Sequence, residues 1–190
     1  PPALVSSVND HASNNLINAL KSEISNLNIY ELEKDLPVPI QRNLDPETIT
    51  GSDRLLASYA AWLTLKEACV VINAGSAITI DFVDGEGTYQ GGSIAPGASM
   101  QLKALFDNTH ALPEVSYKCP EENPFGKSTA EAMLQGVHYG LQGLVLKTLE
   151  RFSEFYGAYP MIIATGGDAE ILFAKEDIID RIVPDLVLIG

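Results

Sequence analysis

Gly51-Ser52-Asp53-Arg54 and, one helix further on, Asn73-Ala74-Gly75-Ser76-Ala77-Ile78-Thr79-Ile80-Asp81 form the stretch around which the rest of this chain is organised. Between the two segments Leu55, Leu56, Tyr59, Ala60, Leu63 and Leu65 recur near helical spacing, which puts Asp53 and Arg54 at or just inside a helix start. An acid there complements the helix dipole whatever else it does. Val70, Val71 and Ile72 then make a short β-branched run that stops at Gly75-Ser76, and 77–83 reads as a returning strand. A turn of glycine and a hydroxylated residue between strands lets backbone N–H groups and a hydroxyl approach a phosphate closely, a local signature it shares with ordinary hairpins.

Composition bounds the answer. The 190 residues suffice for one large domain or two small ones with a proper core. With 46% hydrophobic and 19% charged residues the chain reads as globular and not disordered. A net charge of -13 argues against nucleic acid or an anionic membrane surface as a main partner. A phosphorylated ligand stays open, given metal ions, backbone donors and a few placed cations. The two cysteines, Cys69 and Cys119, are too few for a disulfide scaffold, and the three histidines, His11, His110 and His138, lie far apart, so nothing supports a zinc site. No basic N-terminal segment leads into an apolar stretch, and no apolar run approaches the ~20 residues of a membrane span. A cytoplasmic location is the expectation.

Outward from the central stretch, 3–5 reads as a strand, Asn9 or Asp10 as the cap of a helix with Leu16, Ala19, Leu20 and Ile24 on its apolar face, and 27–32 as a second strand. Residues 34–50 carry Pro37, Pro39 and Pro46 and are predicted to be a long connection. Beyond the central helix come strands at 68–73, 77–83 and 89–94, a helix through Leu102, Leu105 and Phe106, and a loop over 108–126. A long helix follows, opened by a capping box of Ser128 and Glu131, with Met133, Val137, Leu141, Leu144, Val145, Leu149 and Phe152 as its apolar stripe. Gly136, Gly140 and Gly143 fall on another stripe, which permits close approach of a sheet or of a second subunit. A strand at 161–164, the turn Thr165-Gly166-Gly167-Asp168, a short helix to about Ala174 and a last strand at 186–189 complete the pattern. Gly126-Lys127-Ser128-Thr129 imitates the tail of a Walker A loop, but Glu121 stands where its first glycine belongs and prolines replace the preceding strand.

The order from residue 68 onward is that of a ribonuclease-H-like half, the unit duplicated in sugar kinases, actin and the Hsp70 chaperones. Taken together, the motifs resemble those of type III pantothenate kinases, members of the actin-like kinase superfamily. The resemblance runs in motif order through Ser6 to Val8, Gly51 to Arg54, Asn73 to Asp81, Gly91-Gly92 with Pro96-Gly97, Thr109 to Pro113, Gly126 to Thr129, and Thr165 to Gly167. It implies an α/β, actin-like ATPase (ribonuclease-H-like) duplicated fold whose N-terminal half is incomplete here. Residues 1–66 would be the partial first domain with its linking helix, and 67–190 the second. The family's first phosphate loop and last helix have no counterpart in the chain, which the resemblance therefore reads as truncated at both ends.

The resemblance also implies a chemistry: phosphorylation of pantothenate by ATP, with Mg²⁺ and a monovalent cation, K⁺ or NH₄⁺, in a homodimer. Asp53 would be the general base on the primary hydroxyl. Gly51, Ser52, Asp53 and Arg54 would hold pantothenate, with Arg54 on its carboxylate, and Thr129 would contact it across the subunit interface. Gly75, Ser76, Thr79, Gly166 and Gly167 would serve ATP. Asn73 stands where the family carries the Asp of the cation site, removing a charge, and Ser76 replaces Thr but keeps the hydroxyl. The alternative is a catalytically degenerate homologue acting as a regulatory or binding protein, like the Bvg accessory factors.

Overall fold

A computed structural model describes residues 2–190, apart from the side chain of Asp10, so that Pro1 and Asp10 as an alternative helix cap lie outside the described residues. Strand β1 (Pro2–Val5) runs parallel to β2 (Asn28–Glu31) through helix α1 (Asp10–Glu23), a β-α-β unit forming its own two-stranded sheet. Asn9 caps α1 by accepting from the Ala12 N–H at 3.0 Å. The proline-rich connection is irregular apart from a bridge of Leu36 to Leu32 and a two-residue strand β3 (Gln41–Arg42), which periodicity could not detect.

Helix α2 (Ser52–Leu65) leads into the antiparallel strands β4 (Cys69–Ala74), β5 (Ala77–Val83) and β6 (Thr88–Pro96). Helices α3 (Ala98–Asp107) and α4 (Thr129–Tyr156) follow, then β7 (Met161–Thr165), α5 (Ala169–Phe173), β8 (Arg181–Ile182) and α6 (Leu186–Ile189). The six strands lie in the order β3-β6-β5-β4-β7-β8, with β7 parallel to β4 and β8 parallel to β7. The fold is thus mixed α/β, a central sheet with helices on both faces. The strand expected at 186–189 is instead the helix α6. Its apolar run Leu-Val-Leu-Ile packs on α2, and the pairing falls to Arg181–Ile182. Short apolar runs do not distinguish the two states by periodicity.

Strict alternation sorts the sheet's faces. Val70, Ile72, Ala74, Ile78, Ile80 and Phe82 point into a core closed by α3, α4 and α5. Cys69, Val71, Val83 and Ile163 point into a second core closed by α2 and α6. Burial pushes the Cys69 thiol up to about 12, which makes it an inert core residue. The loop between α3 and α4 is tied to α4: His138 Nδ1 lies 2.9 Å from Tyr117 Oη, and the Glu121 N–H donates to Glu131 Oε1 at 2.6 Å. Only half of the expected capping box forms. Ser128 Oγ accepts from the Glu131 N–H at 3.1 Å, while the Glu131 carboxylate caps the loop and not Ser128.

Candidate active site

The α2 face of the sheet is apolar except at one end. There β5 presents Thr79 and Asp81 beside Val83, and β4 presents Asn73, paired in register with Thr79 of β5 and Thr165 of β7. Two residues along β5 separate Thr79 from Asp81, about 7 Å of strand. Over this end stands the N-terminus of α2. Leu55, Leu56, Ala57 and Ala60 dock on the sheet, and that docking fixes where the buried Ser52 and the partly buried Asp53 and Arg54 sit.

Arg54 reaches down to the sheet. Its Nε lies 3.1 and 3.2 Å from the two oxygens of Asp81, and its Nη2 lies 2.5 Å from Asp81 Oδ1. Tyr89 Oη donates to the same Oδ1 at 2.7 Å. Asp81 is 1% exposed and Tyr89 fully buried. Burial pushes the Asp81 carboxyl up, and the Arg54 guanidinium and Tyr89 hydroxyl pull against that rise. Burial opposes the Arg54 charge, but the Asp81 carboxylate outweighs it, so the guanidinium stays protonated. The Tyr89 hydroxyl is pushed well above its ordinary range, first by burial and then by Asp81, and remains a donor.

Asp53 behaves differently. Its carboxylate is half-buried, makes no hydrogen bond among the described residues, and lies against Gly51, where a Cβ would sit 2.6 Å from Oδ1. The end of β1 closes this side, with Val8 beside Gly51 and Ser6 Oγ 2.9 Å from Ser52 Oγ. A carboxylate left without partners at a helix start, beside a charged Arg, is available to accept a proton from a bound hydroxyl.

The glycine turns meet one another at the same end of the sheet. The Gly97 N–H donates to Ser76 O at 2.9 Å, and a Cβ at Gly97 would fall 1.9 Å from Gly75 O, so the β4–β5 turn and the start of α3 are in direct backbone contact. Gly166 has φ +95° and lies against Ala74 O and Asn73 Oδ1, at 2.3 and 2.6 Å from where its Cβ would be. The Asp168 N–H donates to Ala74 O at 3.0 Å. Asn73, Thr165, Gly166 and Gly167 line one cavity of about 250 Å³, closed opposite by Asp185 and Leu188. Thr79 Oγ1 is buried without a hydrogen-bond partner. Ser76 is exposed at the tip of its turn.

Asn73, Gly75, Ser76, Thr79, Gly166 and Gly167 are therefore brought together, with Gly51 to Arg54 beside them. Thr129 is not. It opens α4 on the opposite face of the sheet, exposed in a groove against α3. Among the described residues no group of His, Cys, Asp and Glu side chains could by itself hold a metal ion. Asp81 and Tyr89 are the site residues that sequence reasoning left without a role. The available signal was a carboxylate alternating with Ile78, Ile80 and Phe82 on an inner strand, since a buried acid requires a partner cation.

Comparisons with known proteins bear on the family. The family profile described as type III pantothenate kinase matches residues 2–151. A type III pantothenate kinase of Rhodospirillum rubrum is 39% identical over 158 residues, covering 83% of this chain and 61% of the relative. One of Akkermansia muciniphila is 39% identical over 140 residues, covering 74% and 57%. The chain thus spans somewhat over half the length of these curated relatives. A crystal structure of a protein from Campylobacter jejuni, described as a conserved Baf family transcriptional activator, superposes with a TM-score of 0.67 at 25% identity, covering 97% of this chain and 76% of that one. With the family profile matched over most of its length and relatives 39% identical over most of the chain, the chain belongs to the type III pantothenate kinase family.

Proposed function

We propose that the complete protein transfers the γ-phosphoryl group of ATP to the primary hydroxyl of pantothenate, giving 4'-phosphopantothenate, the first step of coenzyme A synthesis. The observation that carries this reading is the contrast between two neighbouring carboxylates: Asp81 is bound to Arg54 and Tyr89, whereas Asp53 has no hydrogen-bond partner among the described residues. Asp53 takes the hydroxyl proton, and Gly51, Ser52 and Arg54 hold the rest of the substrate. Phosphoryl transfer asks mainly for positioning and charge stabilisation, which suits a site of backbone turns and one anchored cation.

ATP lies along the Gly75-Ser76 turn and the Gly166-Gly167 turn, with Thr79 near its phosphates. A monovalent cation, K⁺ or NH₄⁺, would be held at Asn73, in register with Thr79, where the loss of the family's carboxylate weakens the site. Mg²⁺ would supply charge neutralisation at the ATP phosphates. The working form is a cytoplasmic homodimer of the actin-like, duplicated ribonuclease-H-like fold, with 1–66 contributing to the first half and 67–190 forming the second.

Asp53→Asn in the full-length protein should lower kcat by about 10²-fold or more while pantothenate binding, followed by calorimetry, stays nearly unchanged. Unchanged turnover would remove Asp53 from the mechanism. The likeness to the Campylobacter jejuni protein supports a second reading, a catalytically degenerate homologue acting as a regulatory or binding protein; wild-type full-length protein that binds pantothenate and ATP yet makes no product would favour it.

A further inference from the structure

Two acids flank Arg54 with opposite surroundings, and the buried one has no task in the proposed reaction. Asp81 occupies the middle of an inner strand at 1% exposure, where an ionised carboxylate is unfavourable unless fully paired. Its surroundings are built for that pairing. Tyr89, on the neighbouring strand, spends its hydroxyl on Oδ1, and the Arg54 guanidinium lies 5.9 Å from the centre of the Tyr89 ring. Gly92, the cross-strand partner of Asp81, leaves space that a side chain would fill, since a Cβ there would sit 2.7 Å from Oδ1.

The contact uses one edge of the guanidinium. Asp81 accepts from Nε and Nη2, the side-on edge, and Nη1 makes no hydrogen bond among the described residues. A planar guanidinium carries five N–H donors in a fixed fork, so binding one carboxylate side-on leaves the end-on donors of Nη1 and Nη2 for a second. An arginine free to rotate would lose conformational freedom each time it bound an anion; one already held by a buried carboxylate does not.

We propose that Asp81, supported by Tyr89, is the positioning residue that holds Arg54 with its end-on edge presented to the carboxylate of the substrate. The inference rests on the assignment of Arg54 to pantothenate. It assigns to Asp81 the selectivity for a carboxylate over a neutral group at that end of the molecule, and it assigns it no contact with substrate.

The test compares pantothenate with pantothenol, the alcohol that lacks the carboxylate, as ligands of the full-length protein. In the wild type, pantothenate should bind more tightly. Asp81→Asn, which keeps the shape and a hydrogen bond to Tyr89, should raise the KM for pantothenate about tenfold. It should leave kcat and the KM for ATP within about twofold, and leave pantothenol affinity unchanged. Tyr89→Phe should show the same pattern more weakly, and serves as the test if Asp81→Asn does not fold. In an Arg54→Ala background, Asp81→Asn should add no further loss. A purely structural Asp81 would weaken pantothenate, pantothenol and ATP alike, and that result overturns the proposal, as does wild-type selectivity in both variants. A wild type that binds pantothenol as well as pantothenate, or an Arg54→Ala variant with unchanged pantothenate KM, would instead overturn the assignment of Arg54 on which it rests.

Discussion

Asp53 and Arg54 are adjacent in sequence, yet the fold gives them opposite electrostatic situations. Arg54 and Asp81 form a buried pair, and such a pair tolerates the loss of one member poorly: removing a partner typically costs about 3–5 kcal/mol because the other charge is left unpaired. The cost depends on pH with a definite sign. Burial already holds the Asp81 carboxyl above its usual range, with Arg54 as the main opposing influence, so Arg54→Ala should raise it further. A carboxyl raised in the folded state binds its proton more tightly there than in the unfolded chain. Its contribution therefore disfavours folding as pH rises from the ordinary carboxylate range through the raised value. The melting temperature of Arg54→Ala should accordingly fall short of wild type by more at about pH 8 than at about pH 5, as read by calorimetric melting. A deficit independent of pH would mean that water or another group solvates Asp81 in the variant.

At the scale of elements, the signals that survive are those in which one residue type is required by geometry. The hairpin at Gly75-Ser76, the Ser128 cap and Asn9 as one of two candidate caps were readable because turns and caps restrict which residues fit. The helix at 186–189 and the two-residue strands β3 and β8 were not, because their state is decided by what they pack on. The Arg54–Asp81 pair was not read: an acid on an inner strand signals a partner cation, but that partner lies 27 residues away and is set by how α2 docks. Gly97 shows how tightly the elements around the site are joined. Gly97→Ala would drive a methyl group into Gly75 O, so the β4–β5 turn or α3 must move. Overpacking of this kind costs about 1–3 kcal/mol, and the variant should melt several degrees lower and lose ATP affinity before pantothenate affinity. The loop before α4 carries a pH dependence of its own. Burial holds His138 below its ordinary value, with Glu176 partly opposing, so the neutral ring belongs to the fold. Each contact has a donor and an acceptor only when Nδ1–H donates to Tyr117 Oη and Nε2 accepts from the Gln142 amide 3.2 Å away. Protonation sets two donors face to face at Nε2. The contribution of the contact is present above the ordinary histidine range and lost as pH falls through the lowered one. Limited proteolysis within 109–127 should speed up on going from about pH 7.5 to about pH 5.5, and Tyr117→Phe should show the faster cleavage already at the higher pH.

For the whole molecule, the separation of Thr129 from Asp53 decides what a complete site requires. Thr129 stands exposed at the start of α4, across the sheet from α2, and along the same helix Gly136, Gly140 and Gly143 have nothing within 4 Å of where a side chain would begin. Tyr139 and Leu146 are half exposed there as well. The stripe of glycines therefore faces away from the sheet, so close approach of the sheet does not account for it. In the proposed homodimer each site takes Asp53 from one subunit and Thr129 from the other, and mixing two defective proteins tests this. Asp53→Asn and Thr129→Ala variants of the full-length protein should each be impaired alone, by loss of the base and by loss of a substrate contact. In a mixed dimer the Thr129→Ala subunit keeps its own Asp53 and receives Thr129 from its partner, so one of the two sites is whole. After subunit exchange at equal concentrations, random pairing should restore about a quarter of the wild-type sites. Activity measured at saturating ATP and low pantothenate should rise towards that fraction as exchange proceeds. If Thr129 serves the subunit that carries it, no pairing assembles an intact site, and the mixture should stay at the mean of its two components.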